Sequence, residues 1–400
     1  MALSPGEPEA AERDPWFRPV WDGDEDGALE PAARPRPPQY GPAGSAADAA
    51  ALLAPLAAAQ DALARLDAKA EAAPPPICEG LVARLVFREA AGWLAHQRAW
   101  VHPLDLALRD AGLVGATQMP NTAGDGWDGL DLPERLCAEA AVRAAQLLAS
   151  LLRRLVGRGD PLAHLDPASA FGRLTAFEID PLRLARWRAR FAGAGTEPVP
   201  LPPLLRAAEA VRDWTEAGIT EMAAPLQAMA AGAALLAHAK CLRAIPLPFW
   251  AAVPALAQTG QDGRRDQGQV STLPELRAEA ARRLGLGAAP SWPATFLAMT
   301  AEAARAGLRE LDRLEAAGAA GARLTAGLDR RSRLPEALAA VLRRPAVTAK
   351  GLAASLDVTP QAALRLLAEL ADAGIVREST GRRSFRAFAV AVHLGRPPRP

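Results

Sequence analysis

Gln361 and Arg365 stand four residues apart, and three more arginines, Arg382, Arg383 and Arg386, cluster further along the chain. On one helix, that spacing puts the glutamine and the arginine on the same face. Glutamine pairs with N6 and N7 of adenine, and arginine with O6 and N7 of guanine, in the major groove of B-DNA. Ala362, Ala368 and Asp372 fall on the same arc. Thr359, just ahead of the glutamine, is placed for a backbone phosphate at a helix N-terminus. Thr348 and Lys350, at the start of the preceding segment, join this candidate set. The arginine cluster suits phosphates or a minor groove.

A helix in the major groove can present such residues to base edges, and residues 334–390 read as a winged helix-turn-helix. Pro335 suits the first turn of a helix that runs to about Arg344 and stops at Pro345. Thr348 caps a second helix, Ala349 to Leu356, and Asp357-Val358 makes the turn. Thr359-Pro360 opens a third helix over 360–373, which Gly374 ends in the left-handed conformation. Leu364, Leu367, Leu370 and Ala371 recur at helical spacing and are expected to pack inward. Ile375-Val376 and Phe385 to Val390 then make a short two-stranded wing around a polar, arginine-bearing tip. Phe385 and Phe388 are three apart and cannot share a face of a regular strand, so a bulge or an exposed ring is expected there.

Charge agrees with this plan. Residues 330–400 hold 13 basic against 5 acidic side chains, while the remaining 33 basic and 40 acidic residues leave a deficit of seven. The formal charge of +1 for the whole chain therefore conceals a basic C-terminal module. Basic wings also occur in winged helices that dock on proteins, so an interaction or adaptor module is the rival reading.

Other chemistry is sparse. His96, His102, His164, His238 and His393 are scattered, none at metal-ligand spacing from another histidine or a cysteine. There is no phosphate loop with a following Lys-Ser or Lys-Thr and no Gly-x-Ser-x-Gly elbow. His102 and Asp105 could pair for acid–base work, but a capping or surface role suits them better. No catalytic residue, metal or cofactor is expected. Arg183, Arg186, Arg188 and Arg190 surround Trp187 on a second basic helix. It either offers a nucleic-acid face or is a solvated helix with its tryptophan tucked inward.

Alanine, leucine, arginine and proline dominate the 400 residues, and aromatics make up 5%. That predicts a mainly α fold, a multi-helix body followed by the winged helix-turn-helix. Residues 1–46 carry nine acidic and four basic side chains among many prolines and are expected to be a disordered tail. Trp16 and Trp21 within it could dock a protein partner. The expected divisions are then an N-terminal helical region over 47–130, a central helical domain over 131–320 and the winged helix over 330–392. The first helix should bury Leu52, Leu53, Leu56, Leu63 and Leu66 and break at Pro74-Pro75-Pro76. Further helices are expected at about 79–96, 133–156, 181–192, 204–217, 220–242, 273–285 and 293–317, with 318–333 as a linker. Three distant cysteines imply a reducing compartment. No signal peptide is evident, and the longest apolar stretch, Met222 to Leu236, is short and interrupted by Pro225 and Gln227. A cytoplasmic protein with no membrane partner is expected.

Pro345-Ala346-Val347-Thr348-Ala349-Lys350 with Leu352-Ala353, then Leu356-Asp357-Val358-Thr359, form one recognisable string. Leu370 through Gly374-Ile375-Val376-Arg377-Glu378, with Thr380-Gly381-Arg382, form another. On these, residues 334–390 resemble the C-terminal winged helix of Fic-family proteins. With Leu63-Ala64-Arg65-Leu66-Asp67 and Trp100-Val101-His102-Pro103-Leu104-Asp105-Leu106 added, the chain resembles a group of alphaproteobacterial, largely rhizobial helix-turn-helix proteins. These join an uncharacterised helical N-terminal region to the same kind of module. The resemblance covers the two ends of the chain; it implies DNA binding for 334–390 and no chemistry for the rest. Fic enzymes transfer AMP with a His-Pro-Phe-x-Asp/Glu-Gly-Asn-Gly-Arg loop. Here Leu104-Asp105-Leu106-Ala107 follows His102-Pro103 and the anion-binding Gly-Asn-Gly-Arg is missing. A degenerate Fic-like protein without AMP-transferase activity is thus a third reading. The leading expectation is a sequence-specific duplex-DNA-binding transcriptional regulator and not an enzyme. A homodimer is expected because one winged helix covers little DNA.

Overall fold

The computed structural model describes residues 46–96, 99–110, 121–122, 134–156, 159–167, 171–174, 179–192, 201–220, 225–243, 245–253, 272–287, 290–329, 331–379 and 386–391. Contacts along the chain divide it into Met1–Ala46 and Ala47–Pro400. Trp16 and Trp21 lie outside the described residues.

The second unit is built from helices. α1 (Ala46–Ala72), α2 (Pro75–His96) and α3 (Pro103–Asp110) come first. α4 (Glu134–Leu155), a 3-10 turn at Pro161–Leu165, α5 (Pro181–Ala192), α6 (Pro203–Glu216), α7 (Pro225–His238) and α8 (Phe249–Ala252) follow. α9 (Leu273–Leu284) and α10 (Trp292–Thr325) lead into α11 (Leu334–Arg343), α12 (Ala349–Leu356) and α13 (Pro360–Asp372). Strands are short: β1 (Ala99–Trp100) pairs with β2 (Asn121–Thr122). β3 (Val347–Thr348), β4 (Val376–Glu378) and β5 (Ala387–Val390) form an antiparallel sheet in the order β3-β5-β4. The fold is mainly α with a small wing, as the composition implies. The sheet gains β3 beyond the two strands legible in the wing.

α2 is the central post. It packs against α3, α4, α8, α10 and α11. Leu81, Leu85, Val86, Ala90 and Leu94 are all sealed from solvent, as a helix apolar on most faces requires. One hydrophobic core runs from α1 to β5, across the expected division at 130/131 and on into the winged helix. Two ionisable groups caught inside it, Glu89 and His96, meet backbone partners. The backbone N–H of Ala251 donates to Glu89 Oε2 at 3.1 Å. Burial pushes that carboxyl up to about 8, against the pull of the Phe249, Trp250 and Ala251 amides. His96 Nε2 lies 2.6 Å from the Val253 carbonyl oxygen, and burial lowers the imidazole below its usual range. No described helix is long and apolar enough to cross a membrane.

Several helix bounds differ from expectation for identifiable reasons. Pro75 and Pro76 begin α2 instead of lying before it, since the first turn needs no N–H from them. The Pro74 carbonyl accepts from Ile77 and Cys78 there, at 2.9 and 3.1 Å. α10 runs to Thr325, past the expected stop at 317, because Gly318 and Gly321 serve close packing and do not break the helix. Leu53, expected on the buried face of α1, is 66% exposed.

Candidate nucleic-acid interface

The helix-turn-helix is assembled by local capping. The Gly351 N–H donates to Thr348 Oγ1 at 3.1 Å, and the Ala362 N–H donates to Thr359 Oγ1 at 3.2 Å. Each hydroxyl satisfies an orphan donor at a helix start and keeps its own proton to offer outward. Between the helices Asp357 takes the left-handed conformation, φ 53°, which a short polar side chain tolerates. Gly374, φ 71°, ends α13, and the Ile375 N–H closes the cap on the Leu370 carbonyl at 3.0 Å.

Packing then chooses which face of α13 is presented. Ala363, Leu367 and Leu370 are fully buried. Leu364, expected inside, is 37% exposed. The inner edge follows 363, 367 and 370, a helix turned by one residue from the leucine pattern, with Leu366 and Ala371 flanking it half-buried. Gln361 and Arg365 are exposed in the first half of α13, and Ala368 and Asp372 continue that surface, with Glu369 beside them. Ala362 is half-buried. Arg365 makes no ion pair among the described residues. The exposed surface is therefore neutral to basic where the helix begins and acidic where it ends, which favours approach of a polyanion by the first turns.

Around α13, Thr359 and Lys350 are exposed and Thr348 is half-buried at the start of α12. The base of the wing is closed by the Ser379 N–H donating to the Ala387 carbonyl at 2.8 Å. Arg382 and Arg383 lie outside the described residues, as does Phe385, while Phe388 is buried. Arg386 is exposed, with its Nε 3.6 Å from Glu378 Oε2 and its guanidinium 5.2 Å over the Phe388 ring. An exposed pair of that length is worth at most about 1 kcal/mol and leaves the group able to exchange partners. Arg377 is a cation that sequence reasoning passed over. It points to solvent from β4 while Val376 before it is buried, and period-two alternation across Val376-Arg377-Glu378 is the signal that would have found it.

The other sequence candidates resolve differently. His102 is a cap: its Nδ1 accepts from the Leu104 N–H at 3.1 Å at the start of α3. On α5, Trp187 is 2% exposed; its indole N–H donates to the Ala210 carbonyl at 2.9 Å, and its ring meets Trp214 edge-on at 5.2 Å. Arg183 donates to the carbonyls of Ala217 and Gly218 at the end of α6, at 3.0 and 2.7 Å. Arg188 donates to the Leu162 carbonyl at 3.1 Å, and Arg190 pairs with Asp213. With the tryptophan inside and three guanidiniums engaged, α5 presents no stacking platform for nucleic acid.

A family model for an HTH DNA binding domain matches residues 334–391, from the first residue of α11 to the residue after β5. Over 88 residues the chain is 42% identical to the uncharacterized protein y4cF of Sinorhizobium fredii (strain NBRC 101917 / NGR234). That stretch is 22% of this chain and also 22% of the relative's length. These findings agree with the rhizobial helix-turn-helix likeness and do not bear on the Fic-family one. The C-terminal part of the chain carries a helix-turn-helix DNA-binding domain.

Proposed function

We propose that the protein is a sequence-specific duplex-DNA-binding regulator of transcription, acting in the cytoplasm, and that it works by binding and not by catalysis. The reading rests on one observation above others: Gln361 and Arg365 stand exposed on the first turns of α13 while Ala363, Leu367 and Leu370 lock that helix into its domain. Those turns enter the major groove, where Gln361 and Arg365 meet base edges and the exposed Leu364 is suited to a thymine methyl group. Thr348, Lys350 and Thr359 hold phosphates at the starts of α12 and α13, and Arg377, Arg382, Arg383 and Arg386 hold the backbone from the wing. Two copies bind together, since a single module buries too little DNA for useful affinity.

Salt dependence tests the backbone contacts. Arg382→Ala and Arg383→Ala are expected to weaken binding across sequences and to flatten the log–log salt slope by roughly one for each lost phosphate contact. Gel-shift titrations at two salt concentrations measure both quantities. Unchanged affinity and slope in both variants would remove the wing from the interface and favour a protein-docking role for it.

A further inference from the structure

We propose that Arg84, in the helical body, is a positioning residue for DNA binding: it fixes the orientation of the helix-turn-helix by gripping the end of α11. The functional half of this inference rests on the DNA-binding reading; the mechanical half does not.

A helix end leaves backbone carbonyls without partners, and a left-handed glycine after the last turn usually answers them. α11 lacks that device. Its C-cap, Arg344, is extended at φ −114° and ψ 143°, and Pro345 follows with no N–H to give. The donors come instead from a residue more than 250 positions earlier. Arg84 Nη1 donates to the Leu342 carbonyl at 2.8 Å; Nη2 donates to those of Val341 and Arg344, at 3.2 and 2.8 Å. Nη1 also reaches the Gly80 carbonyl on its own helix at 2.9 Å. A forked, permanently charged donor suits a cluster of carbonyls at the negative end of a helix. The side chain is sealed, 6% exposed, and its Nε lies 3.6 Å from Glu310 on α10, itself 3% exposed. Glu310 also holds Arg88 at 3.3 Å and pairs with Arg313, so it keeps partners of its own.

Sterics give an independent sign of the same joint. A Cβ at Gly80 would lie 1.9 Å from the Leu342 carbonyl oxygen, so α2 meets the end of α11 backbone to backbone. A Cβ at Gly321 of α10 would lie 2.3 Å from Leu338 Cδ2 of α11. α11 thus rests in a cradle of α2 and α10, with Arg84 fastened at its end. α13 packs on α11 and α12, so the direction in which Gln361 and Arg365 point follows the seating of α11 on α2 and α10.

The test uses the full chain carrying spin labels at positions 305 on α10 and 372 on α13, both exposed. Pulsed-EPR distances are taken without DNA, alongside gel-shift affinity for a fragment that the wild-type chain enriches from genomic DNA. The wild type should give one narrow distance. Arg84→Met should broaden or shift it and lower affinity about tenfold or more, with Arg84→Lys intermediate because it keeps the charge but loses the fork. Arg365→Ala should lower affinity and leave the distance alone, which a merely structural loss would not reproduce. If Arg84→Met does not fold, Gly80→Ala, which keeps the arginine but wedges the joint, must move both readings. A wild-type distance in these variants, or an altered distance with wild-type affinity, overturns the proposal. A wild-type chain that enriches no DNA overturns the reading of the module instead, and the distance arm then decides the joint alone.

Discussion

α5 and α13 both bring arginine to the surface, and they differ in what the guanidiniums already hold. On α5, Arg183 serves as a C-cap for α6, Arg188 answers a carbonyl of the 3-10 turn, Arg190 pairs with Asp213, and Trp187 is core. On α13, Gln361 and Arg365 stand in solvent with no ion pair among the described residues. Density of arginine therefore does not make an anion site. A guanidinium engaged with its own fold must first give up those bonds, and net hydrogen bonds from charged groups are worth about 1.5–3 kcal/mol each. Arg84 extends the lesson: the most deeply buried arginine among the described residues can reach DNA only through the helix it holds.

The comparison can be broken from the α5 side first. Trp187→Ala is expected to cost about 3–5 kcal/mol of stability in urea denaturation, while the folded fraction keeps wild-type DNA affinity. Loss of affinity without loss of stability would make α5 part of the interface. On the other helix, Arg365→Ala should cost about 1–3 kcal/mol of binding to an enriched fragment and relax the base preference. Its unfolding midpoint should stay at the wild-type value, since nothing in the core depends on it.

Protonation separates the regions further. The Glu89 carboxyl ordinarily titrates near 4.5 and is pushed up to about 8 in the fold. Between those values the folded chain keeps a proton that the unfolded chain has lost, so stability falls as pH rises and levels off above about 8. His96, lowered from 6.5 by burial, acts in the opposite sense below 6.5, where the unfolded chain takes up the proton and the folded one does not. Above 6.5 the Glu89 effect is left unopposed by His96, with a ceiling slope of about 1.4 kcal/mol per pH unit. Urea midpoints between pH 6.5 and 8 should decline in the wild type and stay flat in Glu89→Gln; a flat wild-type profile would contradict the buried neutral carboxyl. The smallest effect belongs to Arg186→Ala. This exposed α5 arginine should change stability by no more than about 0.5 kcal/mol and DNA affinity not at all. A loss as large as that of Arg365→Ala would erase the distinction between the two helices.

The helix-turn-helix was legible because its signals are local. Thr348, Thr359-Pro360 and Gly374 act at fixed offsets on their own backbone, and each forms the cap its residue type implies. What escaped depends on distant partners. β3 exists only because Val347 finds Phe388 in register across the sheet. Leu364 carries the hydrophobicity of a core residue, yet the turn of α13 set by α11 and α12 leaves it outside and takes Ala363 in. Gly318 and Gly321 look like a helix stop, and only the approach of Ile77 and Leu338 shows why α10 continues through them. Arg84 did leave a trace: it is a charge on the same stripe of α2 as Leu81 and Leu85, where an unpaired ion would be costly.

The most direct measurement is selection of genomic DNA fragments by the purified full-length chain, run in parallel with a Gln361→Ala, Arg365→Ala double variant. The wild type should enrich fragments sharing a short motif, and the double variant should retain DNA through its basic wing without enriching that motif. The same motif recovered by both proteins, or none recovered by the wild type, would contradict the assignment of α13 as the reading helix.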